Sequence, residues 1–171
     1  FTPVFLSLLS GLDVRAKVVG TVGRGWLAVD LSGEDEAVAL RILEQEMGLA
    51  PVRADRLRRF SVVRGKLLSA SGRGLYVDIG VFEPFNVDAL VGPETLRAQL
   101  ADGLPLGVRE LADLFCLAEG LPLEVKLLED PSSLEAGGVV EAELSEGQVR
   151  AFERWVTSGL DRLVVLGASH H

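Results

Sequence analysis

The chain has 171 residues, of which 48% are hydrophobic and 25% charged, and its formal net charge at pH 7 is −8. This composition excludes an intrinsically disordered chain, and because no apolar run reaches ~18 residues we expect no membrane span. Cys116 is the only cysteine, so no internal disulfide is expected and a reducing cytoplasm is the expected location. The only histidines, His170 and His171, end the chain as the remnant of a purification tag would. Without other histidines, we expect no histidine-dependent catalysis, no metal site and no cofactor.

Residues 1–52 predict a small N-terminal module. Thr2 and Pro3 are typical of the start of a helix. Two β-like runs, residues 14–19 and 26–31, flank a glycine-rich connection that predicts a hairpin. The helix that follows has acidic residues in its first turn, where they complement the helix dipole. The expected order is therefore αββα.

The charge of the chain is unevenly distributed. Residues 53–66 contain six basic residues and one acidic residue, a net charge of +5. Residues 108–146 contain ten acidic and two basic residues, a net charge of −8. A band of basic residues can attract a polyanion locally even when the whole molecule is acidic. The alternative is that the two regions form ion pairs with each other.

Residues 56–130 are rich in strand patterns. Four segments have apolar runs or alternate apolar and polar residues: 57–68, 75–81, 89–91 and 121–128. Two helical patterns, around Leu96 and around Leu111, precede the last of these strands. We therefore expect a β-domain with a helical insertion of about twenty-five residues before its late strand.

Residues 131–169 predict a strand, a helix and a final strand. Ser145 and Gln148 form a capping box at the start of the helix, and Gly159 ends it. Residues 163–166 are the final apolar strand. A β-α-β unit of this size cannot bury a core of its own, so we expect it to pack on one of the other two segments. Residues 170–171 are the expected tag remnant.

The central segment resembles the RNA-binding domain named after ribosomal protein S-one, a version of the oligonucleotide/oligosaccharide-binding (OB) barrel. The matches are an opening strand with glycine, a glycine turn, and a second strand with a surface aromatic and an acidic residue: Gly65, Leu67, Gly74, Tyr76, Val77, Asp78 and Ile79. Residues 121–128 match the late strand. Gly92 stands where many members of that family have histidine. The whole arrangement is also similar to an uncharacterised archaeal protein family that carries such a barrel.

Tyr76 is the centre of the expected binding surface. Because neighbouring side chains in a strand point to opposite faces, Leu75, Val77 and Ile79 should fill the barrel while Tyr76 and Asp78 face outward. An outward tyrosine beside cations provides a stacking ring flanked by groups that pair with phosphates. The alternative is that Tyr76 packs under the helical insertion.

Two loop aromatics and four cations complete the expected site. Phe82 and Phe85 are placed in a loop next to the Tyr76 face, as stacking platforms or as hydrophobic plugs. Of Arg58 and Arg59, one should face solvent and the other pair with an acid. The residues expected to contact RNA are Arg58, Arg64, Lys66, Arg73, Tyr76, Phe82 and Phe85.

The sequence thus predicts an α+β protein with a central five-stranded OB-like (S-one-type) β-barrel over residues 56–130, a helical insertion, and small α/β modules at both ends. The resemblance implies a non-catalytic RNA-binding accessory protein of translation or RNA processing. Its expected partner is single-stranded or structured RNA, in a ribosome or an RNA-processing complex. The alternative is a protein-interaction adaptor whose barrel no longer binds nucleic acid. No catalytic residue is expected in either case.

Overall fold

The structure is a computed structural model that describes residues 2–134 and 138–160. The chain divides into two compact units, Phe1–Ala50 and Pro51–His171. The expected final strand at residues 163–166 and the two terminal histidines lie outside the described residues. Within the described ranges, no helix is both long and apolar enough to cross a membrane.

The first unit has the element order α1 (Thr2–Leu8), β1 (Val14–Val22), β2 (Trp26–Gly33) and α2 (Glu36–Glu46). The two strands form an antiparallel hairpin. The buried residues come from the two helices and the turn after α1: Phe5, Leu9, Ala39 and Leu43. The start of α2 is tied to the beginning of the hairpin, because the backbone N–H of Asp13 donates to the carboxylate of Asp35 at 2.8 Å.

The second unit contains six strands and three helices among its described residues. The strands are β3 (Val52–Arg53), β4 (Val62–Ser71), β5 (Gly74–Glu83), β6 (Val87–Val91), β7 (Pro122–Leu127) and β8 (Val139–Leu144). The helices are α3 (Pro93–Leu100), α4 (Val108–Leu114) and α5 (Glu146–Ser158). Helices α3 and α4 lie between β6 and β7 in sequence, where the helical insertion is expected.

Five of these strands close into a barrel. β4 pairs with β5 and β5 with β6, both antiparallel. β6 pairs with β8 in parallel, β8 with β7 antiparallel, and β7 with β4 antiparallel. This circuit leaves no open edge among the five strands, and it confirms the predicted α+β class with an OB-like five-stranded barrel.

The barrel extends past the expected boundary at residue 130. Its fifth strand, β8, comes from the segment assigned to the C-terminal unit, and it lies between β6 and β7. The side chains of Val140, Ala142 and Leu144 point into the barrel and are at most 2% exposed. The sequence gives no sign of this because the parallel pairing of β6 with β8 joins segments about fifty residues apart.

Helix α5 packs on the barrel unit through aromatic contacts. Phe152 is buried and meets Phe115 edge-to-face with ring centroids 5.4 Å apart. Trp155 contacts the same Phe115 ring at 6.1 Å. Half of the predicted capping box is present, because the Ser145 side chain accepts the backbone N–H of Gln148 at 3.0 Å. The Gln148 side chain accepts the backbone N–H of Glu124, and the Ser145 N–H donates to the Glu124 carbonyl. The C-terminal segment therefore shares the barrel's core and has no core of its own among the described residues.

Candidate nucleic-acid interface

Tyr76 lies on the outer side of β5, near the start of the strand and the turn that joins it to β4. Its strand neighbours Leu75 and Val77 and the next inward residue, Ile79, are fully buried. Tyr76 itself is half-buried, and its cross-strand partners are Ser69 on β4 and Leu90 on β6. The alternation predicted from the sequence is therefore correct for these four β5 residues. The ring is neither buried beneath the helices nor fully exposed.

Asp78 does not face solvent, although strict alternation predicts that it does. Its side chain is 3% exposed, and its carboxylate accepts the backbone N–H of Gly80 at 3.0 Å. The register of β5 against β6 shifts between Asp78 and Val81, which ends the simple alternation. β3 also pairs with β5 in parallel at Val81, beyond Asp78.

Two glycines of the S-one-like pattern are required by close approach of the chain. A Cβ at Gly65 would overlap the carbonyl oxygen of Asp78 and lie 2.7 Å from Cγ1 of Val77. Gly74 has φ of +127°, and a Cβ there would overlap the carbonyl oxygen of Val91. Both positions hold β5 tightly between its neighbours, so Tyr76 stands on a fixed strand.

The cations expected around Tyr76 differ in their partners. Arg64 is exposed, and its Nε lies 3.5 Å from Oε2 of Glu124 on β7. Lys66 is partly exposed, and its Nζ lies 4.0 Å from the buried carboxylate of Asp78. Arg73 is exposed in the turn between β4 and β5, and its guanidinium has no ion-pair partner among the described residues.

Glu124 has more than one role. Its Oε1 accepts the hydroxyl of Ser145 at 2.6 Å, and its backbone N–H donates to the side chain of Gln148 at 3.1 Å. The carboxylate that neutralises Arg64 is therefore also fixed at the start of α5, where negative charge complements the helix dipole. The Arg64–Glu124 pair joins the basic band to the acidic region, as the ion-pairing alternative predicts.

Phe82 and Phe85 are not both in a loop. Phe82 belongs to β5 and is half-buried there, because the strand continues to Glu83. Phe85 lies in the turn before β6 and packs against the hydrophobic core. This contact agrees with the prediction that Phe85 acts as a hydrophobic plug and not as a stacking platform.

Arg58 is tied to the backbone of its own segment. Its Nη1 donates to the carbonyl oxygens of Asp55 at 2.7 Å and Leu57 at 2.9 Å. Its charge also helps to lower the pKa of Asp130, after the hydrogen bonds that Ser132 donates to that carboxylate. Arg58 therefore stabilises a local turn, and its guanidinium is less available to a phosphate than that of Arg73.

A basic and aromatic surface at residues 59–60 was not included among the expected contacts. Phe60 is 57% exposed, and the guanidinium carbon of Arg59 lies 4.7 Å from the centre of its ring. The run Arg56-Leu57-Arg58-Arg59-Phe60 carries the signal in the sequence, since cations interleaved with an aromatic are typical of nucleic-acid contacts.

A groove beside α5 brings together several acidic side chains. An open groove of about 350 Å³ lies between α5 and the β7–β8 wall, and Glu143, Glu146 and Glu153 line it. Glu143 pairs with Lys126, whose pKa is raised by this hydrogen bond, and Glu146 pairs with Arg150. Over residues 2–134 and 138–160, no group of three or more histidine, cysteine or acidic side chains could hold a metal ion.

The fold and this surface define a class: an α+β protein with a closed OB-like barrel and a half-buried tyrosine on its outer wall. No protein family matches the sequence, and no curated protein matches it.

Proposed function

We propose that this protein binds single-stranded RNA on the outer wall of its barrel, without catalysis, as an accessory protein of translation or RNA processing in the cytoplasm. The S-one-type assignment of the barrel is part of this proposal. The observation that carries it is the placement of Tyr76 on the second strand of an OB-like barrel, beside the turn that carries Arg73. The second and third strands and the turn between the first two strands are the surfaces with which OB folds bind oligonucleotides.

Tyr76 supports the proposal through its rigidity as well as its position. The strand beneath it is fixed by the close approaches at Gly65 and Gly74. Binding of a base to this ring therefore loses little conformational entropy of the protein, whereas binding at a flexible site loses more. Stacking on one aromatic ring contributes ~1–3 kcal/mol per base and tolerates any base. We accordingly expect affinity with little sequence preference.

Arg73 supplies the phosphate contact that is most readily available. It is exposed, has no ion-pair partner among the described residues, and follows the strand that carries Lys66. An arginine can donate two parallel hydrogen bonds to one phosphate. Because the whole chain carries a charge of −8, the attraction is local and affinity should fall steeply as salt rises.

The test is fluorescence anisotropy of a labelled oligouridylate titrated with the protein at several salt concentrations. Tyr76→Ala should weaken binding by ~5- to 150-fold, while Tyr76→Phe, which keeps the ring, should bind as the parent does. Arg73→Ala should make the negative slope of log K against log salt shallower by ~0.7, because one phosphate contact is lost. Arg150→Ala, an exposed cation on α5, is the matched control and should leave the affinity almost unchanged.

Two results would refute RNA binding at this site. One is the absence of measurable binding by the parent protein at micromolar concentration and low salt. The other is equal affinity of the Tyr76→Ala variant and the parent, because the ring would then contribute nothing.

The second candidate function is a protein-interaction adaptor whose barrel no longer binds nucleic acid. The pairing of Arg64 with Glu124 and of Lys66 with Asp78 favours it, because both cations already have carboxylate neighbours. A stoichiometric partner that stays bound after nuclease treatment would support the adaptor. Loss of that partner on nuclease treatment would support RNA.

A further inference from the structure

The turn that precedes β4 is held rigidly by backbone hydrogen bonds. The N–H of Ser61 donates to the carbonyl of Arg58 at 3.0 Å, and the N–H of Arg58 donates to the Ser61 hydroxyl at 2.9 Å. The N–H of Phe60 donates to the carbonyl of Leu127 at the end of β7, at 2.8 Å. Residues 58–61, which we call the Phe60 turn, are therefore fixed to the barrel wall.

Phe60 is an unusual residue for this place. Its φ is +70°, in the left-handed region that glycine and asparagine adopt at the third position of such turns. A bulky side chain is disfavoured in that conformation, so the backbone gives no reason for phenylalanine. Burial gives none either, because 57% of the residue is exposed. An aromatic ring held in solvent on a strained, rigid turn indicates a binding role.

The charges around the ring indicate the kind of ligand. The Arg59 guanidinium lies over the ring, and Arg56 precedes it by four residues. Neither arginine forms an ion pair with any residue that the structure describes. The nearest acid in sequence, Asp55, is held by Arg53 through hydrogen bonds that lower the pKa of its carboxyl. The turn thus combines an exposed ring with one cation, Arg59, that has no carboxylate partner among the described residues.

We propose that the Phe60 turn is a second stacking site for single-stranded RNA, with Phe60 contacting a base and Arg59 a phosphate. The proposal rests on the proposed RNA-binding function, which it extends to a longer strand.

The position of the turn sets the length of RNA that can reach it. The turn adjoins Val62 at the start of β4, while Tyr76 pairs with Ser69 near the other end of that strand. Seven residues of strand separate Val62 from Ser69, which is about 23 Å at ~3.3 Å per residue. At ~3.4 Å per stacked nucleotide this distance corresponds to about seven nucleotides. OB folds bind about 4–16 nucleotides, so one strand can contact both rings.

The surface between the two rings carries two basic side chains, each with a carboxylate neighbour. Along β4 the inward residues Val63 and Leu67 alternate with the outward residues Arg64 and Lys66. A strand that ran along β4 from the Phe60 turn to Tyr76 would therefore pass two cations.

The experiment compares two oligouridylates, one of about four nucleotides and one of about twelve, across the parent and three variants. Phe60→Asn removes the ring and places a residue that tolerates positive φ, so it should melt at the parent's temperature or above it. We expect it to weaken binding of the longer RNA by ~5- to 150-fold and to leave the shorter RNA unaffected. Leu104→Asn removes another exposed apolar side chain and should change neither affinity. Tyr76→Ala should weaken binding of both RNAs.

Each other result has a distinct meaning. If Tyr76→Ala weakens both RNAs and Phe60→Asn weakens neither, the second site is wrong and the proposed function stands. If the parent binds neither RNA, the proposed function fails and the second site fails with it. If Phe60→Asn lowers the melting temperature by several degrees, the ring has a structural role and the inference is overturned. An equal loss for the short and the long RNA would overturn it as well.

Discussion

Replacing Gly65 with alanine perturbs the contact between the first two barrel strands. The added methyl group would point toward β5, overlapping the carbonyl oxygen of Asp78 and lying 2.7 Å from Cγ1 of Val77. Neither atom can move away easily, because Val77 is fully buried and Asp78 belongs to the paired backbone of β5. The strands must therefore separate locally.

The cost can be estimated from other overpacked protein interiors. Insertion of one methyl group into a tightly packed interior typically costs ~1–3 kcal/mol. For a folding unit of intermediate size, each kcal/mol lowers the melting temperature by about 3–5 °C, so we expect Gly65→Ala to melt about 3–15 °C below the parent. Thermal unfolding followed by far-ultraviolet circular dichroism measures this shift.

Gly72→Ala is the matched control. It lies in the turn between the same two strands, and a Cβ there would meet nothing within 4 Å. Its stability should stay within about 0.5 kcal/mol of the parent. If Gly65→Ala melted with Gly72→Ala and the parent, β4 and β5 would not approach each other at Gly65 as described, and the argument for a rigid strand beneath Tyr76 would fail.

Three further predictions concern the packing of the second unit. Ser145→Ala removes both the cap of α5 and the hydrogen bond to Glu124 from a residue that is 3% exposed, so urea unfolding should show a loss of ~1–3 kcal/mol. Phe152→Ala empties a buried site against Phe115 and should cost ~3–5 kcal/mol in the same assay. Hydrogen bonds from Ser132 lower the folded-state pKa of Asp130 below its ordinary 3.8, so its stabilisation is present above that value and lost as the pH falls. Asp130→Asn should therefore lose less stability than the parent between about pH 5 and about pH 3, measured by urea unfolding at each pH.

The local patterns of the sequence predicted much of the barrel. Leu123, Val125 and Leu127 alternate with polar residues and all point inward. In a strand with one face in the core and one in solvent, apolar residues occur at every second position. The cap at Ser145 and the left-handed Gly159 at the end of α5 were also correct, since both depend on chemistry within a few residues.

The features that sequence missed depend on contacts between distant segments. β8 belongs to the barrel through parallel pairing with β6, and no local pattern specifies a partner. Asp78 lies opposite Lys66 on β4 yet is buried, so alternation alone did not predict its exposure. Phe60 was missed because its positive φ and its hydrogen bond to Leu127 are properties of the folded turn that no local pattern specifies.

Under the proposed RNA-binding function, the two paired cations on β4 should respond differently to RNA because the carboxylates beside them differ in burial. Glu124 is about one-third exposed and also accepts the Ser145 hydroxyl, so it stays solvated and bonded when Arg64 turns to a phosphate. Exposed pairs of this kind contribute at most about 1 kcal/mol, so the exchange costs little.

Asp78 is different because its side chain is 3% exposed. If Lys66 left it for a phosphate, a buried negative charge would lose a nearby cation, which is costly where water cannot replace it. Lys66 should therefore stabilise the strand more than it binds RNA.

The prediction separates the two residues in paired assays of stability and affinity. Arg64→Gln should lose under ~1 kcal/mol of stability while weakening RNA binding, because its contact with Glu124 is exposed and exchangeable. Lys66→Gln should lose ~1–3 kcal/mol of stability while changing the affinity less than Arg64→Gln does. The opposite order would mean that the burial of Asp78 does not hold Lys66, and that Lys66 is the cation the RNA uses.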